Sequence, residues 1–371
     1  MDELPVALLS DILSRVSSQS LLRYRCVCKR WREVIDDPYF RNSLHRVKEP
    51  ACLYCDTEEG KICLLKIHEE ETTHEEAMTQ VIEMAQFPGL KNYAIRGDCN
   101  GLLFFQHIYG NKANLLINPL TREIQELPKA PYIFQFMSVS GIGLDCSTNV
   151  YKMVQIDVIG YGEETRIRTT VARVYDFEKH SWRTCKAPPP TQGPDPRFAF
   201  ASGALNWFLL RDSSVWTRAI LSFDLTREEF SLIPLPDGFS RPGLATFQWD
   251  LGRMLELGGS LALAHHSDAV HITVWVLKDY TSREWTKKYS IDTAKPPCLD
   301  VVDGNNYYVI GPYKRDKLIL HQFIGEVYEY DINKERFTRC RTKDIALRGH
   351  ALFWCKTLSF VTLKRHEDLG L

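Results

Sequence analysis

Cys52, Cys55, Cys63 and His68 lie close together along the chain. Thiolates and imidazoles are zinc ligands, so the set has the donor types of a tetrahedral metal site. The residues around them alternate apolar and polar, which predicts strands, and residues three apart on a strand point to opposite faces. The Cys52-x-x-Cys55 spacing is therefore read as structural, and no metal is expected. His265-His266 meets the same objection, because strand neighbours cannot share one ion. Gly141-Ile-Gly143 lacks the third glycine and the following helix of a dinucleotide turn. No Gly-x-Ser-x-Gly elbow and no Walker loop occurs in the sequence. The run Glu69-Glu70-Glu71, continued by Glu75-Glu76, reads as a solvated loop or helix face. No carboxylate pair stands out as acid and base. The expectation is no catalytic residue, no metal and no cofactor.

Composition narrows the classes further. The chain has 371 residues, of which 44% are hydrophobic, 25% charged and 11% aromatic, the mixture of a globular protein. Its 46 Lys and Arg offset 47 Asp and Glu, leaving a net charge of -1. So even a balance offers no field to concentrate a polyanion, which argues against nucleic acid as a partner. No run approaches the roughly 18 apolar residues of a membrane span. Met1-Asp2-Glu3-Leu4-Pro5 has neither the basic nor the apolar region of an export signal. The 11 cysteines follow no framework spacing, so they are expected reduced, in the cytoplasm or the nucleus or both.

The elements that would carry any function differ between the two parts of the chain. In the first fifty residues Leu4, Leu8, Leu9, Ile12, Leu13 and Val16 form one stripe at helical spacing, with Pro5 where a first turn tolerates it. Ser17-Ser18-Gln19-Ser20 supplies hydroxyls to cap a second helix. Leu21, Leu22, Tyr24, Cys26, Val27, Trp31, Val34 and Ile35 then continue the apolar pattern until Asp37-Pro38 ends it. Three short helices make a thin core, so the pattern alone is also that of a helical cap packed on a larger domain.

The residues themselves closely resemble the F-box. The match runs in register through Leu4-Pro5-x-x-Leu8-Leu9-x-x-Ile12-Leu13-Ser14-Arg15-Val16, Ser20-Leu21-Leu22-Arg23-x-Arg25-Cys26-Val27-Cys28-Lys29-Arg30-Trp31 and Ile35-x-Asp37-Pro38-x-Phe40. Ser18 departs from the proline that many members carry before the second helix. The resemblance implies an F-box over residues 1–47 that docks on a Skp-type adaptor, and through it a cullin and a RING subunit. Leu4, Pro5, Leu8, Leu9, Ile12, Leu13, Leu22, Val27, Cys28 and Trp31 would form or support the adaptor-binding face. About half of them belong to the F-box's own core, and the sequence does not separate the two sets. A leucine and isoleucine stripe with a tryptophan anchor suits a helix-in-groove interface.

After Pro50 the period changes to two. Val154, Ile156 and Val158 alternate with Gln155 and Asp157, and Tyr328, Tyr330 and Ile332 alternate with Glu329 and Asp331, as half-buried strands do. The clearest helical candidate in this part is residues 74–86. Turns repeat: Asp176…Trp182, Asp224…Phe230, Asp279…Trp285 and Asp331…Phe337 each put an aromatic six positions after an acidic residue. Asn118…Ile124 follows with an aliphatic residue, and Asp56…Ile62 follows more weakly. Asp and Asn suit such a place because their side chains accept from backbone N–H groups two residues on. Glycines mark the approach to several strands, at Gly101, Gly203, Gly259 and Gly304. The anchors at 56, 118, 176, 224, 279 and 331 are 62, 58, 48, 55 and 52 residues apart, near one propeller blade each. The expectation is a mainly β chain: a three-helix F-box, then a β-propeller over residues 51–364, six-bladed rather than seven. Strands within 351–363 would complete the blade begun near 51–67 and so remove the open edge. A β-sandwich or stacked sheets is the rival architecture.

This second part resembles the plant F-box-associated domains, which are related to kelch-type propellers. The likeness is carried by Leu116-Ile117-Asn118-Pro119-Leu120-Thr121-Arg122, Gly141-Ile142-Gly143-Leu144-Asp145, Tyr151-Lys152-Met153-Val154, Tyr175-Asp176 and Gly203-Ala204-Leu205-Asn206-Trp207. One Gly258-Gly259 stands where kelch proper has a pair in every blade. The two resemblances together imply a non-catalytic substrate receptor of an SCF-type cullin-RING ubiquitin ligase, its propeller holding a target protein. Where the target binds is not fixed by sequence. Loops at 160–165, 188–197, 211–218 and 237–249, with Tyr161, Trp216, Arg218, Arg241 and Trp249, are the candidates. A glycan-binding F-box receptor and a propeller hydrolase with a helical cap are the alternative functions.

Overall fold

The computed structural model describes residues 4–37, 40, 51–67, 76–131, 137–161, 168–189, 193–209, 219–239, 252–268, 270–294, 307–313, 316–322, 326–342 and 351–355. Three helices come first: α1 (Val6–Ser14), α2 (Ser18–Tyr24) and α3 (Lys29–Asp36). The Pro5 carbonyl accepts from Leu9 N–H at 3.0 Å at the head of α1. Ser17 Oγ caps α2 by accepting from Ser20 N–H at 3.3 Å, and Cys28 Sγ caps α3 by accepting from Trp31 N–H at 3.5 Å. Asp37 ends α3 in extended geometry with ψ 129°, as a residue before proline must. Leu9, Leu13, Leu21, Val34, Ile35 and Phe40 form the helical core. They run into one apolar cluster with Leu53, Ile62, Leu103, Phe105 and Ile117 of the sheets that follow.

Those sheets are six four-stranded antiparallel blades. Blade one holds β1 (Ala51–Asp56), β2 (Lys61–Ile67) and β3 (Glu76–Gln86). Blade two is β4 (Tyr93–Cys99), β5 (Leu102–His107), β6 (Leu115–Asn118) and β7 (Glu123–Glu126); blade three is β8 (Met137–Asp145), β9 (Val150–Tyr161), β10 (Arg168–Asp176) and β11 (Ser181–Cys185). Blade four is β12 (Pro194–Ala201), β13 (Ala204–Leu209), β14 (Ala219–Asp224) and β15 (Glu229–Pro234); blade five is β16 (Arg253–Leu257), β17 (Ser260–His266), β18 (His271–Asp279) and β19 (Glu284–Asp292). Blade six is β20 (Tyr307–Tyr313), β21 (Lys317–Gln322), β22 (Val327–Asp331) and β23 (Arg336–Thr342). The last strand among the described residues, β24 (Ala351–Cys355), pairs with β1 from Ala51↔Cys355 to Cys55↔Ala351 and becomes the innermost strand of blade one.

The fold is thus a six-bladed propeller whose ring is closed by the two distant ends of the chain. The inner strands β24, β4, β8, β12, β16 and β20 each approach the next around the axis. Along the outer seam β23 and β3 pair in parallel, Arg339↔Glu76 to Thr342↔Thr79, so blades six and one form one eight-stranded sheet. Strands such as Leu102–His107 and Ala204–Leu209 are buried at every position because both their faces pack on neighbouring blades. Where the inner ring is tightest glycine is required: a Cβ at Gly97 would lie 2.8 Å from the Phe198 carbonyl oxygen.

The recurrent turn is explicit. In blades two to six, Asn118, Asp176, Asp224, Asp279 and Asp331 each end the third strand and accept from the N–H groups two and three residues on, at 2.8–3.2 Å. The fourth residue onward (Arg122, His180, Glu228, Arg283 or Glu335) is left-handed, with φ 48–60°. The aromatic then lands opposite a third-strand residue: Phe223 and Phe230 have ring centroids 4.6 Å apart, Tyr330 and Phe337 4.8 Å.

Two expectations are corrected. Asp56 makes the same turn, accepting from Glu58 and Glu59 N–H at 3.0 Å, but between β1 and β2. Because β24 takes the innermost place, that hairpin joins the second and third strands and lies at the opposite end of its blade. The helix expected over 74–86 is, from Glu76 onward, strand β3. Met84 is the extra residue of a bulge, since Cys63 pairs with Glu83 and Ile62 with Ala85. Two adjacent residues, Met84 and Ala85, are buried in consequence, and that doublet imitates a helical stripe.

Candidate functional site

The helices divide their apolar residues cleanly. Leu4, Leu8, Ile12 and Val27 are exposed, as are Pro5 and Cys28, and Leu8 keeps 53% of its surface. Leu9 keeps 2%, and Leu13 is likewise core. Leu22 and Trp31 are half-buried against that core, the Trp31 ring edge-on to Tyr24 with centroids 5.5 Å apart. The split follows from helix geometry: within α1 Leu8 and Ile12 recur four residues apart on one side, and Leu9 and Leu13 are turned about 100° from them toward α2 and α3, while Leu4 precedes the helix. Val6, 56% exposed in the first turn of α1, is missing from the sequence-based set. The Arg30 guanidinium donates to the Leu4 carbonyl and ties the start of the chain to α3. Among the described residues the other exposed large apolar side chains are Ile108, Tyr109 and Ile124.

The thiols do not converge. Cys52 and Cys63 pack between blades one and six, whereas Cys55 packs with Leu53 and Ile62 on the other face of the sheet. Burial pushes the Cys52 and Cys55 thiols up to about 12, and their places on opposite faces keep them from sharing one ion. His68 lies outside the described residues. His265 and His266 diverge as strand neighbours: Trp275 Nε1–H donates to His265 Nε2 at 3.1 Å, and His266 Nε2 lies 2.9 Å from the Tyr307 carbonyl oxygen.

The propeller has two unlike faces. On one, first strands turn into second and third into fourth through the short hairpins just described. These are locked across blades: Lys152 Nζ donates to Asp145 Oδ2 at 2.8 Å in its own blade, and to the Leu225 carbonyl at 2.8 Å and Glu228 Oε1 at 2.9 Å in the next. Glu228 also receives Arg183. The other face carries the second-to-third connections and the crossings between blades. The strands flanking the four loops named from sequence, 160–165, 188–197, 211–218 and 237–249, end on this face, and residues 160–161 and 194–197 of those stretches are already strand. Tyr161 ends β9 there, and Trp216, Arg218, Arg241 and Trp249 lie outside the described residues.

Three arginines gather where the inner strands open on this loop-bearing face. Arg96 is the extra residue of a bulge in β4, between Ile95 and Gly97. Its Nε donates to Gln106 Oε1 at 3.2 Å, and Gln106 Nε2 donates to the Ser138 carbonyl at 3.0 Å. Arg197 lies in the stretch of β12 that loses register with β13. Asp195 Oδ1 accepts from its N–H at 2.8 Å and its Nε at 3.0 Å. Arg253 opens β16 and, with His265, His266, Tyr307 and Tyr308, lines a crevice between blades five and six. The charges sense one another across the axis. Burial lowers the Arg96 pKa, Asp195 opposes that, and Arg197 adds to it; burial and then Arg197 push Arg253 down to about 10. Sequence gave no sign of this gathering, because bulges and register breaks aim these side chains.

The family profile described as F-box associated beta propeller domain matches residues 51–366, and the one described as F-box-like matches residues 1–46, which puts the helical unit at the N-terminal end. The chain is 28% identical over 324 residues to "F-box protein At3g07870" of Arabidopsis thaliana, across 81% of this chain and 75% of that one. It is 26% identical over 363 residues to "F-box/kelch-repeat protein At3g23880" of the same plant, across 93% and 94%. Among solved structures it resembles an oligogalacturonate lyase in complex with manganese, at 8% identity and a TM-score of 0.42, over 81% of this chain and 80% of that one. So low a score carries no argument about activity.

Proposed function

This chain belongs to the F-box proteins that carry an F-box associated beta propeller domain, and from that premise we propose that it is the substrate-recognition subunit of an SCF-type cullin-RING ubiquitin ligase, acting in the cytoplasm, the nucleus or both. The helices dock a Skp-type adaptor, which brings the cullin and RING subunits, and the propeller captures a target protein. The chain makes and breaks no bond itself. It raises the effective concentration of target lysines near the conjugating enzyme.

The observation that carries this reading is the bare apolar side of the helices. Leu4, Val6, Leu8, Ile12 and Val27 stay exposed in the whole chain, although a propeller with large buried clusters lies alongside. Five of the eight large apolar side chains exposed among the described residues fall in this small helical unit, a concentration that marks a protein interface. Each such side chain contributes about 1.5–3 kcal/mol when removed from water, before the cost of ordering.

The test is co-purification with a Skp-type adaptor and a cullin. Wild type is expected to capture both, and Leu8→Asp/Ile12→Asp to lose them with an unchanged melting temperature. Leu9→Ala serves as the contrast: buried, it is expected to cost about 2–5 kcal/mol of stability. A folded wild type that binds no adaptor would defeat the receptor reading.

A further inference from the structure

We propose that the target is held on the loop-bearing face by an anionic segment, carrying carboxylates or phosphates, that enters the mouth bounded by Arg96, Arg197 and Arg253. The proposal deepens the receptor reading and rests on it. Along the described inner strands charge is sorted by height. The half that opens on this face bears Arg96, Arg197 and Arg253 against Asp195, and the half toward the short hairpins bears Asp98, Asp145 and Glu256. Blades two and four are not neighbours in the ring. Their inner strands nevertheless meet across the axis, Phe198 lying against Gly97, so Arg96 and Arg197, one residue before each, sit on facing stretches, and Asp195 and Arg197 both act on the Arg96 charge. Just above it Phe198 of blade four packs against Gly97 of blade two, so the arginines bound a shallow mouth rather than an open pore.

The chemistry favours an anion. Arg96 and Arg253 are half-buried and have already lost part of their hydration, which makes a partner's negative charge worth more to them than to a surface lysine. Guanidinium also matches carboxylate and phosphate geometry two bonds at a time. On the same face, the connection that follows His107 in blade two presents Ile108 and Tyr109, the latter 70% exposed. Lys112 and Lys129 lie close enough to His107 to add to the lowering of its pKa that burial begins. An exposed tyrosine on the face that carries a cationic recess is the composition of an interface anchor with a charged rim.

The experiment uses the full chain co-expressed with a Skp-type adaptor and three fluorescein-labelled octapeptides of one framework, bearing glutamates, phosphoserines or glutamines. Fluorescence anisotropy is expected to show binding of the two anionic peptides, weakened by added salt, and none of the glutamine peptide. Whichever anionic peptide is tighter distinguishes a carboxylate from a phosphate source. Arg96→Gln, Arg197→Gln and Arg253→Gln are each expected to weaken it by about tenfold, and Tyr109→Ala to weaken it as well. Arg227→Gln, in a hairpin on the opposite face, is expected to change nothing. Arg197 is the most exposed of the three, so its variant keeps the test decisive if Arg253→Gln does not fold. Equal binding of all three peptides, an equal loss in Arg227→Gln, or no loss in the folded arginine variants would overturn the proposal. So would an eight-residue oligouridylate bound as tightly as the phosphopeptide, which would give the mouth to nucleic acid. Adaptor capture, read on the same samples, is expected to survive in every variant. Its absence in wild type would refute the receptor reading, while the peptide data would still judge the mouth.

Discussion

Leu8 and Leu9 are adjacent, chemically identical and opposite in role, and only the turn of a helix separates a surface from a core. Sequence grouped them correctly as one apolar stripe but had no means of dividing it, because the division depends on where α2 and α3 lie. His321 is a second case in which neighbours decide. Burial, and then the charge of Arg253, push its imidazole down to about 4 from an ordinary 6.5, and Nε2 has no hydrogen-bond partner among the described residues. Between those two values the unfolded chain binds a proton that the folded chain refuses, so stability falls as pH drops through the window. The full loss is roughly 3 kcal/mol. His107 and His265 are also lowered by burial and add to the slope, so the difference between proteins is the informative quantity. His321→Gln is expected to flatten the fall in urea midpoint across this window by about one proton. An identical pH slope in both proteins would show that His321 is free to charge in place.

At the scale of elements, what was legible was local. The Asp or Asn of the turn and the aromatic or aliphatic residue six on lie within seven positions, so the hairpins of blades two to six were readable from spacing and side-chain chemistry. The turn at Asp56 was readable too, but not its place in the blade, which depends on β24 arriving from the far end of the chain. Strand β3 was misread because a bulge at Met84 breaks the period of two. The mouth arginines were invisible for a related reason, since they sit at irregularities that no periodicity announces. Pairs between blades are likewise beyond sequence, and Lys152 is the clearest. At Asp145 burial works against the charge, and hydrogen bonds from Lys152, Ser147 and Thr226 overcome it and hold the carboxyl below its usual range. Glu228 is lowered in the same way by Arg183 and Lys152. Lys152→Met leaves the buried Asp145 carboxylate without its cation and half-buried Glu228 with Arg183 alone, and is expected to cost about 3–5 kcal/mol. Carboxylates with lowered pKa contribute stability above their unfolded values, 3.8 for Asp145, and lose it as pH falls beneath them. The deficit of the variant, followed by urea melts, is therefore expected to be full at neutral pH and to shrink below 3.8. A constant deficit would mean that Lys152 acts through packing alone.

For the molecule as a whole the decisive contact is the one between its ends. Every other blade is built from consecutive strands, but blade one waits for β24, which lays five residues, Ala351–Cys355, beside β1 and stands between the inner strands β20 and β4. Without it β1 presents an unpaired edge and the inner ring has a gap, the condition under which sheets pair with other chains. Long-range closure of this kind costs loop entropy that is recovered only when the last strand docks, so the ring is expected to fold as one cooperative unit rather than blade by blade. The parallel pairing of β23 with β3 reinforces the same seam from outside, and on its own it leaves the inner gap open. Ending the chain at residue 350 is therefore expected to abolish the single sharp unfolding transition. The truncated chain should melt broadly and aggregate, and limited proteolysis should cut first beside β1. Supplying residues 351–371 as a separate peptide should restore part of the transition, because the missing contact is a strand and not a covalent link. A truncated chain that melts as sharply as the full one would mean that five blades and an incomplete first one suffice, and that the closing strand serves some purpose other than the integrity of the ring.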